Sequence, residues 1–297
     1  MQETLLRAWR RFDTYEGRAS IRAWLYKIAT NACLDALDKR PRRSLPQSAR
    51  SPADPREPHT PPLVEPIWIE PLPDDLIANL DDNPEARYTL SESVTLAFLA
   101  ALQALSPRQR AVLILRDVLD WSASETAGLL NLSVSAVNSA LHRARVTMVK
   151  KYHGAGGRDA VPAPASERMH SLLDLYLRAW ETADVEGLAA LLRDDVTFSM
   201  PPSPSWYRGR QAVRALLTNA IFGDALFSGA ANMRWRLTST RANGQPSFGL
   251  YLRDASGAYR AFGIQVLTFD GDQIADITTF VNPAHVPRFG LPAEMTA

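Results

Sequence analysis

Ten of the 21 prolines fall within residues 41–73. A proline has no backbone N–H to donate, and its ring clashes with the preceding helical turn, so this stretch can form neither a helix interior nor a central strand. The stretch is therefore read as a linker without a core of its own. The chain's 297 residues allow two or three domains of about 100–150 residues each. Residues 41–83 are read as a Pro-rich acidic linker. One run inside it, IWIEPL (Ile67, Trp68, Ile69, Leu72), is too apolar for a spacer and is expected to dock, in cis or on a partner. A second break, HGAGGRDAVPAPA, spans residues 153–165.

The formal net charge is only +1, but its distribution is uneven. Residues 1–43 carry ten Lys/Arg against five Asp/Glu, residues 54–95 two against ten, and residues 106–152 seven against three. Two basic segments around an acidic spacer point to two surfaces for anionic partners, although any single run also reads as a solvated face. The single cysteine, Cys33, excludes an internal disulfide and a Cys-based zinc site. It sits in an apolar helical pattern and is expected to be buried. No apolar stretch approaches the ~18 residues of a membrane span, and MQETLLRAWRRF has no apolar signal core, so the chain is expected to be cytoplasmic with no membrane partner.

Leu5, Leu6, Trp9 and Phe12 recur at helical spacing, and a break at Tyr15-Glu16-Gly17 separates them from a second helix that Ser20 can cap. That helix carries Trp24, Leu25, Ile28, Ala32 and Leu37, with Arg22, Lys27 and Asn31 among its polar positions. From residue 84 the pattern is helical again, and Ser106-Pro107 is a helix start. In SASETAGLLNLSVSAVNSALHRAR, residues 122–145, a short helix capped by Ser122 or Ser124 leads through Asn131-Leu132-Ser133 into a second helix. There Val137, Leu141, Ala144 and Met148 face inward, leaving Ser135, Asn138, Ser139, His142, Arg143 and Arg145 outward. This is the pattern of a helix-turn-helix that enters a major groove, small polar side chains reaching base edges and arginines reaching phosphates. An ordinary helical hairpin fits the same spacing.

Past residue 166 the period changes. Met169, Leu172, Leu173, Tyr176 and Trp180 mark a helix; alternating sets around Phe198, Trp235, Leu250, Ile264 and Ile274–Val281 mark strands. Helices followed by mostly antiparallel strands give an α+β layout. Tyr176, Trp180, Trp235 and Asp276 are the candidate lining of a ligand pocket, with Asp276 expected to face inward with Ile274 and Phe280. His170, Asp195 and Asp224 are further polar groups; Asp194-Asp195 is read as a turn and His285 as a loop residue. No spacing marks an acid–base pair, a metal site or a cofactor motif, and no catalytic residue is assigned.

LSPRQRAVLILRDVLDWSASETAGLLNLSVSAVNSALHRARVTM, residues 105–148, resembles region 4 of the sigma-70 family, and LLRAWRRFDTYEGRASIRAWLYKIATNACLDAL, residues 5–37, resembles the later part of region 2. In that order, with no large region between, the pair is similar to an extracytoplasmic-function (ECF) sigma factor. AWETADVEGLAALLRDDVTFSMPP and TTFVNP make the C-terminal half similar to SnoaL-like, NTF2-like domains, a cone of helices on a curved antiparallel sheet.

The resemblance implies a division into partial region 2 (1–40), linker (41–83), region 4 (84–152), linker (153–165), SnoaL-like domain (166–285) and tail (286–297). It implies core RNA polymerase and promoter DNA as partners, the −35 element meeting Ser135, Asn138, Ser139, His142, Arg143 and Arg145. The −10 element would be melted and read by Tyr15, Arg18, Ser20, Arg22, Lys27 and Asn31, and Gln2, Glu3, Leu6 and Trp9 would touch the polymerase. Residues 65–85 would occupy a basic channel of that enzyme. The SnoaL-like domain would regulate, through a small-molecule ligand or a regulatory protein. Two departures stand out. Region 2 of the family has helices upstream of the point matching Met1, and Asn138 and Ala140 stand where many members have Lys or Arg, so DNA affinity is expected to depend on polymerase. Two alternatives remain: a SnoaL-type enzyme or ligand sensor fused to a DNA-binding segment, or a DNA-binding regulator without polymerase contact.

Overall fold

The computed structural model describes residues 2–15, 17, 20–39, 43–57, 60–63, 68–78, 95–154, 167–223 and 235–296. Arg18, Ile67 and Asp224 of the expectations above lie outside them, as do residues 79–94. Along the chain the helices are α1 (Gln2–Arg10), α2 (Ile21–Lys39), α3 (Pro46–Ala49), α4 (Asp74–Ala78), α5 (Leu96–Gln103), α6 (Pro107–Leu113), α7 (Ala123–Leu130), α8 (Val134–Gly154), α9 (Glu167–Glu181), α10 (Val185–Leu191) and α11 (Arg210–Leu216). The chain forms two compact units, residues 1–42 with 101–151, and residues 43–100 with 152–297.

The first unit is all helical. Arg7 of α1 bonds Glu3 at 2.8 Å and Asp35 of α2 at 2.5 Å, and α2 packs against α6 and α7. Buried apolar residues include Ala8, Ile28, Ala32, Val112, Leu113, Leu130, Val137 and Leu141. The two helix starts read from sequence are closed by reciprocal caps. Ser106 accepts from the Gln109 N–H while the Gln109 side chain accepts from the Ser106 N–H, and Ser122 and Glu125 do the same at α7. Ser122→Ala removes one such acceptor and should cost about 1 kcal/mol, read as a lower midpoint in denaturant unfolding of the first unit. No shift would mean water serves the α7 terminus equally well. Cys33 is exposed rather than buried, on the solvent side of α2.

The second unit is a curved sheet in the order β2-β1-β6-β5-β4-β3, built from β1 (Leu192–Ser199), β2 (Trp206–Arg208), β3 (Trp235–Ala242), β4 (Gln245–Arg253), β5 (Tyr259–Asp270) and β6 (Gln273–Phe280). All neighbours are antiparallel except β1 and β6, and a short β7 (Glu294–Met295) pairs with β5. This is the expected α+β, NTF2-like architecture. Helices α9 to α11 cover one face, burying Tyr176, Trp180, Leu188, Phe198, Trp235, Phe248, Leu267 and Ile277. Asp194 and Asp195 are not a turn; they lie within β1, where Arg193 pairs with Asp195 and, at 2.5 Å, with Asp270. His285 sits in a short helical turn, Pro283–Phe289, and is buried.

The opposite face is covered by the proline-rich segment, which acts as a strap. Leu45, Ile69 and Leu96 join Tyr251, Ile264, Val266, Phe280, Val286 and Phe289 in a second core. The strap leaves Ser44, runs to edge strand β2, where the Ala53 N–H bonds the Trp206 carbonyl at 2.7 Å and the Trp206 indole bonds the Arg50 carbonyl at 2.7 Å, and returns. The Ile69 N–H closes on the Ser44 carbonyl at 3.0 Å. It then reaches the other edge, where the Leu72 N–H and C=O both bond Asn243 and the Asp74 carboxylate accepts from the Gly244 N–H at 2.7 Å. Prolines fit here because the strap bonds at isolated points rather than along a continuous ladder, so few backbone N–H groups are required of it, and it meets both edge strands. Of the apolar run, Trp68, Ile69 and Leu72 therefore dock in cis.

Candidate nucleic-acid interface

α7 and α8 meet through a turn made by Asn131, at φ 55° and ψ 49°, a left-handed conformation that asparagine tolerates well. The Leu132 N–H returns to the Ala127 carbonyl at 3.0 Å, and Ser133 Oγ accepts from the Ala136 N–H at 3.1 Å, starting α8 cleanly. Val137, Ala140, Leu141, Ala144 and Met148 are buried. Ser135, Asn138, Ser139 and His142, spaced i, i+3, i+4, i+7, therefore share one exposed face, with Arg143 beside them. Ala140 belongs to the inward set, so it does not stand at a groove-facing position and the absence of a cation there has no bearing on DNA contact. Arg145 is held otherwise: it forms a bidentate pair with Asp117, at 2.7 and 3.0 Å. The guanidinium fork, with its pKa raised by that bond, is engaged within the unit rather than presented beside Arg143.

On α2 the second group of candidates does not form one surface. The Tyr15 and Phe12 rings pack on Trp24, at centroid distances of 5.5 and 6.3 Å. Arg22 lies over Tyr26, its guanidinium 5.6 Å from the ring centre, and bonds the phenol at 3.3 Å. Lys27 and Asn31 are exposed one turn apart. Nine residues of α-helix put Arg22 and Asn31 on opposite sides. Leu5 (57% exposed) and Trp9 (83%) of α1, with Phe12 (57%) just beyond its end, make an exposed apolar stripe, Leu6 lies beside it, and Gln2 and Glu3 are exposed. The periodicity legible in sequence thus marks an outward face, and an exposed apolar patch of this kind signals a partner surface.

The four pocket candidates of the second unit are also divided. Tyr176, Trp180 and Trp235 lie in the packed core beneath the helices; Trp180 meets Trp235 edge-on at 5.6 Å, and Tyr176 stacks on Phe248 at 5.6 Å. The Tyr176 hydroxyl donates to Gln265 Oε1 at 2.7 Å, and Gln265 Nε2 donates to Thr279 at 2.9 Å. Burial pushes the phenol pKa well up, so it serves as a hydrogen-bond donor. Asp276 is buried as expected, but under the strap. It accepts from Gln47 Nε2 at 3.3 Å, from Thr278 at 2.8 Å and from Thr197.

A bulge in β6 explains the division. Thr268 pairs with Asp276 while Phe269 pairs with Ile274, so Ala275 is the extra residue, and Ile274 and Asp276 face opposite sides. Burial raises the Asp276 pKa and its three donors oppose the rise. Its partners are hydroxyls and an amide, none of them a base. No group of three or more metal-ligating side chains occurs among the described residues. Nor does any described helix have the length and apolarity to cross a membrane.

The family model for sigma-70 region 2 matches residues 1–43, that for sigma-70 region 4 residues 95–148, and that for the SnoaL-like domain residues 173–277. The chain is 40% identical to the ECF RNA polymerase sigma factor SigG of Mycobacterium tuberculosis over 298 residues, covering 99% of this chain and 77% of that protein. It is 26% identical to SigJ of the same species over 236 residues, 76% of this chain and 67% of that one. The crystal structure of Mycobacterium tuberculosis SigJ matches at a TM-score of 0.53 with 20% identity, over 98% of this chain and 90% of that one, a likeness of fold.

Proposed function

Because the chain belongs to the extracytoplasmic-function sigma factors of RNA polymerase, we propose that it binds core polymerase and directs it to promoters, the region-4 segment reading the −35 element and the region-2 segment the −10 element. The observation that carries this reading is the exposed polar face of α8, presented by a capped and tightly turned helix pair. Ser135, Asn138, Ser139 and His142 are the base-edge candidates and Arg143 the phosphate contact; Arg145 joins them once Asp117 releases it. On the region-2 side, Lys27 and Asn31, exposed one turn apart on α2, act at the −10 element, and Trp9, with Gln2, Glu3 and Leu6, meets the polymerase. Residues 84–152 and 1–40 are the corresponding functional segments, and the cytoplasm, where polymerase works, is the place of action.

The chemistry belongs to the polymerase, and no residue here is assigned a catalytic role. The C-terminal domain regulates, through a ligand or protein whose identity is open. Co-purification with core polymerase followed by run-off transcription tests the main reading; a chain that does neither is a DNA-binding regulator or a sensor instead. Deleting residues 166–297 should change the set or strength of promoters transcribed, and an unchanged profile would remove the regulatory role. Arg143→Ala should weaken holoenzyme binding to all promoter fragments alike and lower the slope of log K against log salt by about 1. A loss confined to some sequences would make Arg143 a base reader.

A further inference from the structure

The leading turns of α8, from Val134 to His142, contain no lysine or arginine. Their exposed residues are Val134 (45%), Ser135, Asn138, Ser139 and His142. The side chains of Ser135, Asn138, Ser139 and His142 bond no other described residue, so their polar atoms are uncommitted. The first cation is Arg143, and the next, Arg145, is held by Asp117. A recognition helix sets its N-terminal residues against base edges, so these few side chains decide which bases are told apart. Guanine shows two acceptors in the major groove and is clamped by a cation, which these turns lack. A serine hydroxyl bonds any base edge, and a neutral imidazole presents one nitrogen at a time. A carboxamide alone sets an acceptor beside a donor, matching the N6–H and N7 of adenine. Asn138 carries the one carboxamide on this face. Its short side chain has a clear approach, because Ser135 and Ser139 on either side are small.

We propose that Asn138 reads an adenine in the −35 element through a bidentate pair with N6–H and N7, and that Val134 reads the methyl group of a nearby thymine. The proposal rests on the sigma-factor reading and gives its −35 contact a base identity. Val134 lies one turn before Asn138 on the same side of α8, and its isopropyl group has no apolar cover to account for its exposure. Neighbours one helical turn apart are about 5–6 Å from each other, against ~3.4 Å between base pairs, so the thymine lies within two base pairs of the adenine. Apolar contact with the thymine C5 methyl distinguishes that base from cytosine. The helix thus reads A·T pairs with its first turns and leaves phosphate anchoring to Arg143.

Selection of bound fragments, followed by changes to single atoms of the DNA, tests this. Holoenzyme assembled from the full chain and core polymerase selects from a pool randomised across the −35 region. One position should favour adenine over every other base by roughly five- to a hundredfold. Replacing that adenine by 7-deazaadenine removes only the N7 acceptor and should weaken wild-type binding by about tenfold, while leaving Asn138→Ala holoenzyme unaffected. Asn138→Arg should move the preference at the same position to guanine, a gain that a folding defect cannot produce. Uracil in place of the neighbouring thymine removes only the methyl group; it should weaken wild-type binding a few-fold and Val134→Ala binding not at all.

A selected element with no position whose preference follows residue 138, or an equal 7-deazaadenine loss in wild type and Asn138→Ala, overturns the adenine assignment. Wild-type holoenzyme indifferent to uracil overturns the role of Val134. Salt dependence separates base reading from phosphate contact. Asn138→Ala should leave the slope of log K against log salt unchanged, where loss of a phosphate contact lowers it by about 1. A lowered slope makes Asn138 a phosphate contact and overturns the proposal. A wild-type chain that does not join core polymerase removes the sigma-factor reading, and the −35 assignment falls with it. A transcribing wild type whose −35 preference ignores residue 138 removes the adenine assignment alone.

Discussion

Trp180→Ala will destabilise the C-terminal unit by about 3–5 kcal/mol. The indole is 2% exposed, sits edge-on to Trp235 and Phe222, and packs beside Tyr176 on α9. Removing it forfeits the transfer free energy of a large buried ring, ~200 Å² at ~25 cal/mol per Å², and leaves a cavity that a curved sheet tied at both edges can only partly close. Denaturant unfolding of the full chain, followed by hydrogen exchange of the β4–β6 amides, measures the loss. A change under about 1 kcal/mol would mean that the site collapses without penalty, or that the aromatic cluster is less tightly packed than its ring distances indicate. The amides of α8, in the other compact unit, serve as the internal reference and should keep their protection.

Trp9→Ala should leave stability within about 0.5 kcal/mol while weakening binding to core polymerase by some thirtyfold or more, ~2 kcal/mol. The side chain is 83% exposed in the free protein, so its removal opens no cavity. A tryptophan flanked by Leu5 and Phe12 on an exposed apolar stripe has the composition of an interface hot spot, where one aromatic residue carries a disproportionate share of the binding free energy. Titration of labelled protein with core polymerase reads the affinity, and an unfolding curve of the same sample checks the fold. Unchanged affinity would place the polymerase contact elsewhere and leave the stripe without its proposed partner.

What the sequence by itself determined was local. Ser106, Ser122, Asn131 and Ser133 each specify a cap or a turn through one or two short-range hydrogen bonds, so the helix-turn-helix and its outward set could be written down from spacing alone, apart from the pairing of Arg145. The switch from a helical period to alternation likewise marked the α+β half. Ten prolines marked where no independent element could form.

Tertiary structure decided the rest, because it depends on groups far apart in the chain. One bulge residue, Ala275, turns Ile274 and Asp276 to opposite faces, which no alternation pattern reveals. Arg145 is drawn away from Arg143 by Asp117, twenty-eight residues upstream. The apolar pattern of α1 could not say whether its stripe faced a core or a partner. The proline-rich segment, lacking any core of its own, acquires one only against β4 to β6 and the turn after them, because Leu45 and Ile69 complete a second face of the sheet there.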